Sequence, residues 1–547
     1  GAVATWCSHL LGAPAALVCT AGLATAAVSL FFHRRALRRR RSLNAMLGSS
    51  LSARALLVLA LILQLGTPGW SGTAGWLTAG LACWLAATVL ERYAVTAWRP
   101  RGLDARNLPG INTQGFEFLP RGTVAAASLA GTAAGFAAAF FGPAAAPAAA
   151  AVLAVLLLVA SAEVLAAGWH RSYRNLRHEA NLAQTVERLA PEFALYFGSN
   201  VGAGYQAGMW LPYLDRIGRP YIVIARTMRM MRAIAAITDV PVIHRPTLRS
   251  LEEVIPPSLK AAFYVNNAVK NTHFIERREM RHIWLNHGDS EKPACYNPVH
   301  AIYDHIFSAG QAGVDRYARH GVDIPREKFR IVGRPQVEDI VRGQAPGPNP
   351  TVLYAPTWRG PYADTAVYSL PRGRGIVEGL LARGCTVIFR AHPFNYRFPE
   401  AAAWIAEIGE LLAADAAATG RQHVFGKAAE QEMSVVDCFN ASDAMVSDVS
   451  AMVSDYLQSG KPFSIVAVGR SIEELAEEAP ASRAAYVIEE DLRNLDEALD
   501  NLLVHDPLAA QREASRVYYL GDFPAGSYAD GFLTAARELI DAPRRPL

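Results

Sequence analysis

The strongest constraint in this chain is an alternation of short β-rich runs with helix-compatible stretches, repeated in two series. Candidate strands of the first series are Phe193–Phe197, Tyr221–Ala225, Val240–His244, Ala261–Val265 and His282–Asn286. The Gly/Pro-rich segment VRGQAPGPNP then breaks the pattern. The second series follows at Val352–Tyr354, Thr386–Phe389, His423–Phe425, Ala444–Val446 and Phe463–Val466, with an acidic helix at Ile472–Glu478. Parallel neighbours need a crossover, so strand–helix repetition predicts a parallel sheet with helices on both faces. Two series predict two doubly wound, Rossmann-like domains joined by a hinge. Ligands of such sheets bind beyond the carboxyl ends of the strands, which makes the interdomain cleft the expected site.

Ahead of the alternation the chain has a different character. Hydrophobic residues reach 51% while charged residues still make up 19%, which suggests a membrane part joined to a polar part. Apolar segments stand at Leu10–Phe32, Leu51–Leu65, Ala74–Leu90, Thr123–Phe141 and Ala144–Gly168. A span needs about 20 apolar residues, which the first, fourth and fifth supply. The second and third, joined by GTPGWSGT, read as a tight hairpin. Arginine clusters follow the first, third and fifth segments, while the opposite loops carry no charge. The positive-inside rule then puts the N-terminus outside and everything after Trp169 in the cytoplasm, as a multi-pass protein of the plasma membrane. No basic region precedes the first segment, so a cleaved signal peptide is not expected.

The net charge is only +4, and the basic residues sit beside apolar segments, so nucleic acid is not an expected partner. The cysteines Cys7, Cys19, Cys83, Cys295, Cys385 and Cys438 form no CxxC pair. That distribution predicts neither a disulfide framework nor a zinc site.

Polar residues gather at the predicted strand ends. The segment Ala441–Lys461 reads as a strand, the turn Ser447-Asp448-Val449-Ser450, and a helix closed by Gly460. Ser450 holds an N-cap position, and a strand end that delivers a helix N-terminus suits phosphate. Asp448 would repel phosphate and fits better as an acceptor for a hydroxyl. His287, followed by Gly288, stands at a strand's carboxyl edge, as a general base or as a structural histidine bonding a loop carbonyl. Arg334 either faces the cleft or ties the hinge. Arg359 and Arg390, with His392, end two further strands and suit pyrophosphate, which arginine binds bidentately. The glycine-rich loop Gly198–Gly204 lacks dinucleotide-binding spacing and reads as a close-approach loop. GxxxxGK[ST], HExxH and DxD patterns are absent.

In order and spacing, five short motifs resemble the CDP-glycerol glycerophosphotransferases, the teichoic-acid primase and polymerase family. They are His287-Gly288, Gly333-Arg334-Pro335, Tyr354-Ala355-Pro356-Thr357-Trp358-Arg359, Arg390-Ala391-His392-Pro393, and Ser447-Asp448-Val449-Ser450 with Ser454-Asp455-Tyr456. The resemblance implies a GT-B fold. The expected architecture is therefore a multi-span α-helical membrane region (1–170) followed by two Rossmann-like domains, 171–341 on the acceptor side and 342–547 on the CDP-polyol side. It also implies transfer of a polyol phosphate, most simply glycerol phosphate, from a CDP-polyol to a hydroxyl of a lipid-linked or glycan acceptor at the lipid bilayer, with release of CMP. On the same ground His287 and His392 are catalytic. Gly288, Arg334, Thr357, Arg359, Arg390, Ser447, Asp448 and Ser450 bind substrate, and neither metal nor cofactor is required. The sequence departs from the family in reading Asp289-Ser290-Glu291-Lys292 after the His-Gly pair, where threonine, proline, leucine and lysine are usual. It also has Val449, Ser450 and Ala451 where a tyrosine and paired serines are usual. The rival readings are a GT-B glycosyltransferase using a nucleotide sugar, a transporter with a nucleotide-sensing domain, and an inactive scaffold.

Overall fold

The computed structural model describes residues 105–109 and 181–546, apart from 344–348, 361–366 and 525, and the isolated positions 82, 155, 162 and 166. The chain divides into two compact units, 1–104 with 110–184 and 105–109 with 185–547. The second unit carries the α/β architecture.

One part of the expected fold is corrected. No helix of the described residues is long and apolar enough to cross a membrane, so the multi-span region is withdrawn from the fold class. A helix with sufficient length, Pro399–Thr419, carries Glu400, Glu407, Glu410 and Asp415, which a bilayer interior would not accept. The expected spans, and most of the Gly/Pro-rich linker, lie outside the described residues.

The first sheet has eight strands. They are β1 (Ala105–Arg106), β2 (Phe193–Phe197), β3 (Tyr221–Ala225), β4 (Val242–His244), β5 (Ala261–Tyr264), β6 (Arg281–Trp284), β7 (His305–Ser308) and β8 (Phe329–Ile331). Their order is β1-β4-β3-β2-β5-β6-β7-β8. β1 is antiparallel to β4, and the remaining pairs are parallel. The second sheet is parallel throughout. It holds β9 (Thr351–Ala355), β10 (Thr386–Phe389), β11 (Ala444–Ser447), β12 (Phe463–Ala467) and β13 (Tyr486–Glu489), in the order β10-β9-β11-β12-β13. Central strands such as FALYF, YIVIA and FSIVA are buried along their whole length. Continuous apolar runs are what a strand covered on both faces requires. The acidic stretch Ile472–Glu478 is a helix, started by a capping box in which Ser471 and Glu474 bond each other's backbone amides.

Several strand readings differ from the sequence pattern. His423–Phe425 provides only an isolated bridge between Ile388 and Val424. The cause is His423, whose Nδ1 accepts the amide of Val387 (2.9 Å) where a neighbouring strand would offer a carbonyl. β7 and β13 mix polar with apolar residues (HIFS, YVIE), which hid them among turns.

Strand order reverses direction beside β2–β5 in the first sheet and beside β9–β11 in the second, the crevices where doubly wound sheets bind ligands. After the second sheet the chain returns to the first. Phe532, on the helix Asp530–Asp541, is fully buried against Trp210, Phe263 and Phe307. Arg537 on the same helix donates to the carbonyls of Ile217 (3.0 Å) and Arg216 (2.8 Å). Phe532→Ala is expected to cost roughly 3–5 kcal/mol through the cavity it leaves. A lower urea midpoint would show it, and an unchanged midpoint would mean that this helix does not brace the first sheet.

Candidate active site

At the switch crevice of the second sheet a carboxylate is fully buried. Asp448, just past β11, accepts the backbone N–H of Thr357 (2.7 Å) and of Ser369 (3.1 Å). Burial pushes its carboxyl up to about 6, against the hydrogen bonds and the charge of Lys292, which favour ionisation. Asp448 therefore fixes the loops that follow β9, and its oxygens are engaged by the protein itself. Ser447 Oγ donates to the carbonyl of Ala355 (2.7 Å) and lies 3.4 Å from Ser450 Oγ. Ser450 occupies the N-cap of the short helix Ala451–Tyr456 in an extended conformation, and its side chain makes no cap bond. The Thr357 carbonyl accepts from Asn395 Nδ2 (3.2 Å), which joins the β9 and β10 loops.

The three arginines are placed differently from one another. Arg390 donates to the carbonyls of Ala429 and Met433, the latter at 2.9 Å, and so clamps the segment between the helix Pro399–Thr419 and β11. Arg359 is exposed, with its guanidinium 5.1 Å from the centre of the Phe398 ring. Arg334 is buried and forms a two-pronged ion pair with Asp455, one prong at 3.0 Å, which ties the hinge to the helix after β11. Among the described residues Lys292, to which the sequence reading gave no role, brings a cation to the crevice. Its Nζ donates to Thr357 Oγ1 (3.1 Å), from the first domain's loop to the second domain's strand end. Burial lowers its pKa, opposed by the charge of Asp448. The available signal was its place five residues after His287, where the related family also has lysine.

The two histidines are held in opposite tautomers. His287 Nδ1 lies 2.7 Å from the carbonyl of Val265, which can only accept, so Nδ1 carries the proton and Nε2 a lone pair. Bonding a loop carbonyl through Nδ1, the structural reading of His287, leaves Nε2 with its lone pair. Burial holds its pKa below the ordinary range, with Arg334 acting in the same sense and the Val265 bond opposing. His392 Nδ1 instead accepts the amide of Phe394 (3.2 Å), which puts the proton of the neutral ring on Nε2. Its ring lies near-parallel to Trp358 (6.1 Å, 25°). Burial and the charge of Lys292 lower its pKa to about 4. Gly288 sits where an added Cβ would approach Ala451 Cβ at 3.4 Å, so the first domain's loop passes close to the second domain's helix. Among the described residues no group of three or more His, Cys, Asp or Glu is arranged to hold a metal ion.

The loops beyond the two Rossmann-like sheets thus present a histidine with a free Nε2 lone pair, a histidine with an Nε2 proton, and the Lys292 ammonium. Residues 339–471 match the family described as CDP-Glycerol:Poly(glycerophosphate) glycerophosphotransferase. The match runs from just before β9 to just past β12, and the likeness to this family is confined to that stretch. Among solved structures it is similar to the wall teichoic acid polymerase TagF, with 13% identity and a TM-score of 0.41, over 68% of this chain and 96% of that one. It is also similar to a putative UDP-N-acetylglucosamine 2-epimerase from Listeria monocytogenes, with 14% identity and a TM-score of 0.43, over 65% of this chain and 98% of that one. Neither likeness decides the chemistry. No curated protein matches the chain.

Two outcomes are expected. Arg390→Met should lower stability by roughly 1–3 kcal/mol, because it leaves buried carbonyls unpaired. The KM for the nucleotide should stay unchanged wherever the protein is folded, and a raised KM would instead place the guanidinium on substrate. The pH–rate profile should carry an acidic limb centred below about 6.5, the ordinary histidine value. His287 is neutral and active above that limb, and protonation removes its lone pair below it. A limb at or above the ordinary value would exclude His287 as the base.

Proposed function

We propose that the enzyme transfers glycerol phosphate from CDP-glycerol to the terminal hydroxyl of a polyol-phosphate acceptor in the synthesis of a surface polymer. The acceptor oxygen attacks the glycerol-bearing β-phosphorus while the bond from that phosphorus to the CMP oxygen breaks. The acceptor's proton passes to His287 Nε2, and CMP leaves with the electron pair. His392 Nε2–H and the Lys292 ammonium are suited to the charge that builds on CMP, and such pre-placed groups supply much of the catalysis in phosphoryl transfer. This reading asks for no metal, since Lys292 takes the charge-neutralising part.

The observation that carries the proposal is the pairing of tautomers. His287 Nδ1 donates to Val265 and His392 Nδ1 accepts from Phe394, which leaves one ring to take a proton and the other to give a hydrogen bond. Lys292, shared between the two domains' loops, supports placing the pyrophosphate between them.

The test is CMP release from CDP-glycerol in the presence of a glycerol phosphate oligomer. His287→Ala should lower the rate by about a hundredfold or more, the range of a lost general base. Lys292→Met should weaken CDP-glycerol binding. Turnover of a UDP-sugar with none of CDP-glycerol would overturn the proposal, and a His287→Ala rate equal to wild type would remove that residue from the chemistry.

A further inference from the structure

The loop at residues 287–292 carries both the base and the ammonium of the transfer reading, and between them it carries Glu291, which the transfer steps leave unused. The Glu291 side chain is 5% exposed, and each carboxylate oxygen takes two donors. Oε2 accepts from Arg316 Nε (2.9 Å) and Arg319 Nη1 (3.0 Å), both on the first domain's helix Gln311–Arg319. Oε1 accepts from Arg316 Nη2 (3.2 Å) and from Tyr519 Oη (2.8 Å). Tyr519 lies near the end of the helix Ala509–Leu520 and is buried in the second domain's core with Leu353, Met445 and Ile465. Its hydroxyl also accepts the backbone N–H of Ala481 (3.0 Å), shortly before β13. An amide can only donate, so the hydroxyl's own proton goes to Glu291. Burial, and then the charge of Glu291, push the hydroxyl far above the ordinary tyrosine range, so it stays protonated.

One hydroxyl thus ties a second-domain amide to the residue directly before Lys292. On the other side of that lysine, its own carbonyl accepts the amide of Cys295 (2.8 Å). Between these two anchors Nζ meets Thr357 Oγ1. Misplacing a reacting group by about 1 Å can cost about a hundredfold, so the anchors of the ammonium bear on its use. The neighbouring tyrosine provides a comparison. Tyr518 Oη donates to Asp315 Oδ2 (2.8 Å), across the same pair of helices. A Cβ at Gly310 would stand 2.5 Å from the Tyr518 carbonyl oxygen, which shows how closely the two domains approach there. Tyr518 makes the same kind of bond, but to a carboxylate that is not on the loop.

We propose that Tyr519 is a positioning residue, whose hydroxyl, acting through Glu291, sets the Lys292 ammonium against the pyrophosphate of the nucleotide donor. The assignment rests on the transfer reading above, which gives Lys292 that pyrophosphate to meet.

Two measurements on the full chain test it. Amide hydrogen exchange without ligand follows the peptide at residues 287–296, in which the Cys295 amide reports the second anchor. Tyr519→Phe is expected to speed exchange there about threefold or more, with β6 and β9 exchanging as in wild type. Tyr518→Phe is expected to leave the loop unchanged. Calorimetry with CDP-glycerol follows the ammonium. Tyr519→Phe is expected to weaken binding about threefold or more, and to add nothing further in a Lys292→Met background, because residues that act through one another are not additive. Loop exchange equal to wild type in Tyr519→Phe, an equal rise in Tyr518→Phe, a rise spread over the whole chain, or additive losses in the double variant would overturn the positioning role. If Tyr519→Phe does not fold, Glu291→Gln weakens the same anchor and decides by the same readings. Failure of wild type to bind CDP-glycerol would strike at the transfer reading, whereas loop exchange is scored without the nucleotide, so the two failures are distinguishable.

Discussion

A carboxylate with no access to water must be satisfied by the protein around it, and Asp448 shows what that demands. Its oxygens take the amides of Thr357 and Ser369, on chain segments that are far from it in sequence. Hydrogen bonds to an ionised group are stronger than neutral ones, so these two set the path of the loops beyond β9. The same loops carry Thr357 Oγ1, on which Lys292 rests, and Trp358, beside which His392 lies. The arrangement of the second domain's polar groups therefore depends on one buried charge, and the first domain's ammonium contributes to keeping it ionised.

Other buried ion pairs join the two sheets. Arg334 and Asp455 connect the segment after β8 with the helix after β11. Gly333, just before it, adopts φ +78° with the Tyr528 carbonyl close by, a conformation and an approach that a side chain would oppose. A second cluster explains the unusual Asp289-Ser290-Glu291 sequence. Arg316 is buried on the helix Gln311–Arg319, and Asp289 and Glu291 both bond it. Glu291 also pairs with Arg319 (3.0 Å) and accepts from Tyr519 Oη (2.8 Å), on the returning C-terminal segment. Breaking one partner of a buried pair leaves a charge without compensation, typically at 3–5 kcal/mol. The acidic residues that depart from the related family's pattern thus neutralise an arginine of this chain and brace the loop that carries Lys292.

The arginines show why residue type alone does not assign a role. Arg390 and Arg359 carry the same guanidinium and both follow strands of the second sheet. One is consumed by carbonyls of its own domain, while the other lies exposed beside a phenylalanine. Lysine, a compact charge on a flexible stem, reaches across the cleft instead. Its lowered pKa is the mark of an ammonium held largely out of water.

The sequence by itself determined the parallel α/β character, the positions of most central strands, and the strand ends at which His287, His392 and Asp448 stand. These follow from local rules: apolar runs of strand length, crossover segments, and turn residues that end them. It also carried the resemblance to a family, because the motifs are short and contiguous. Local pattern misled where a side chain replaced a backbone partner, as at His423, and where polar residues sat inside strands, as in β7 and β13. The apolar content of the N-terminal part suggested membrane spans, which no described helix supports. Only the tertiary structure decided which nitrogen of each histidine carries the proton, that Asp448 bonds amides, that Arg390 is engaged by carbonyls, and that Lys292 reaches Thr357. Each of these depends on which groups the fold brings within about 3 Å, a distance that hydrogen bonding requires and sequence spacing does not encode.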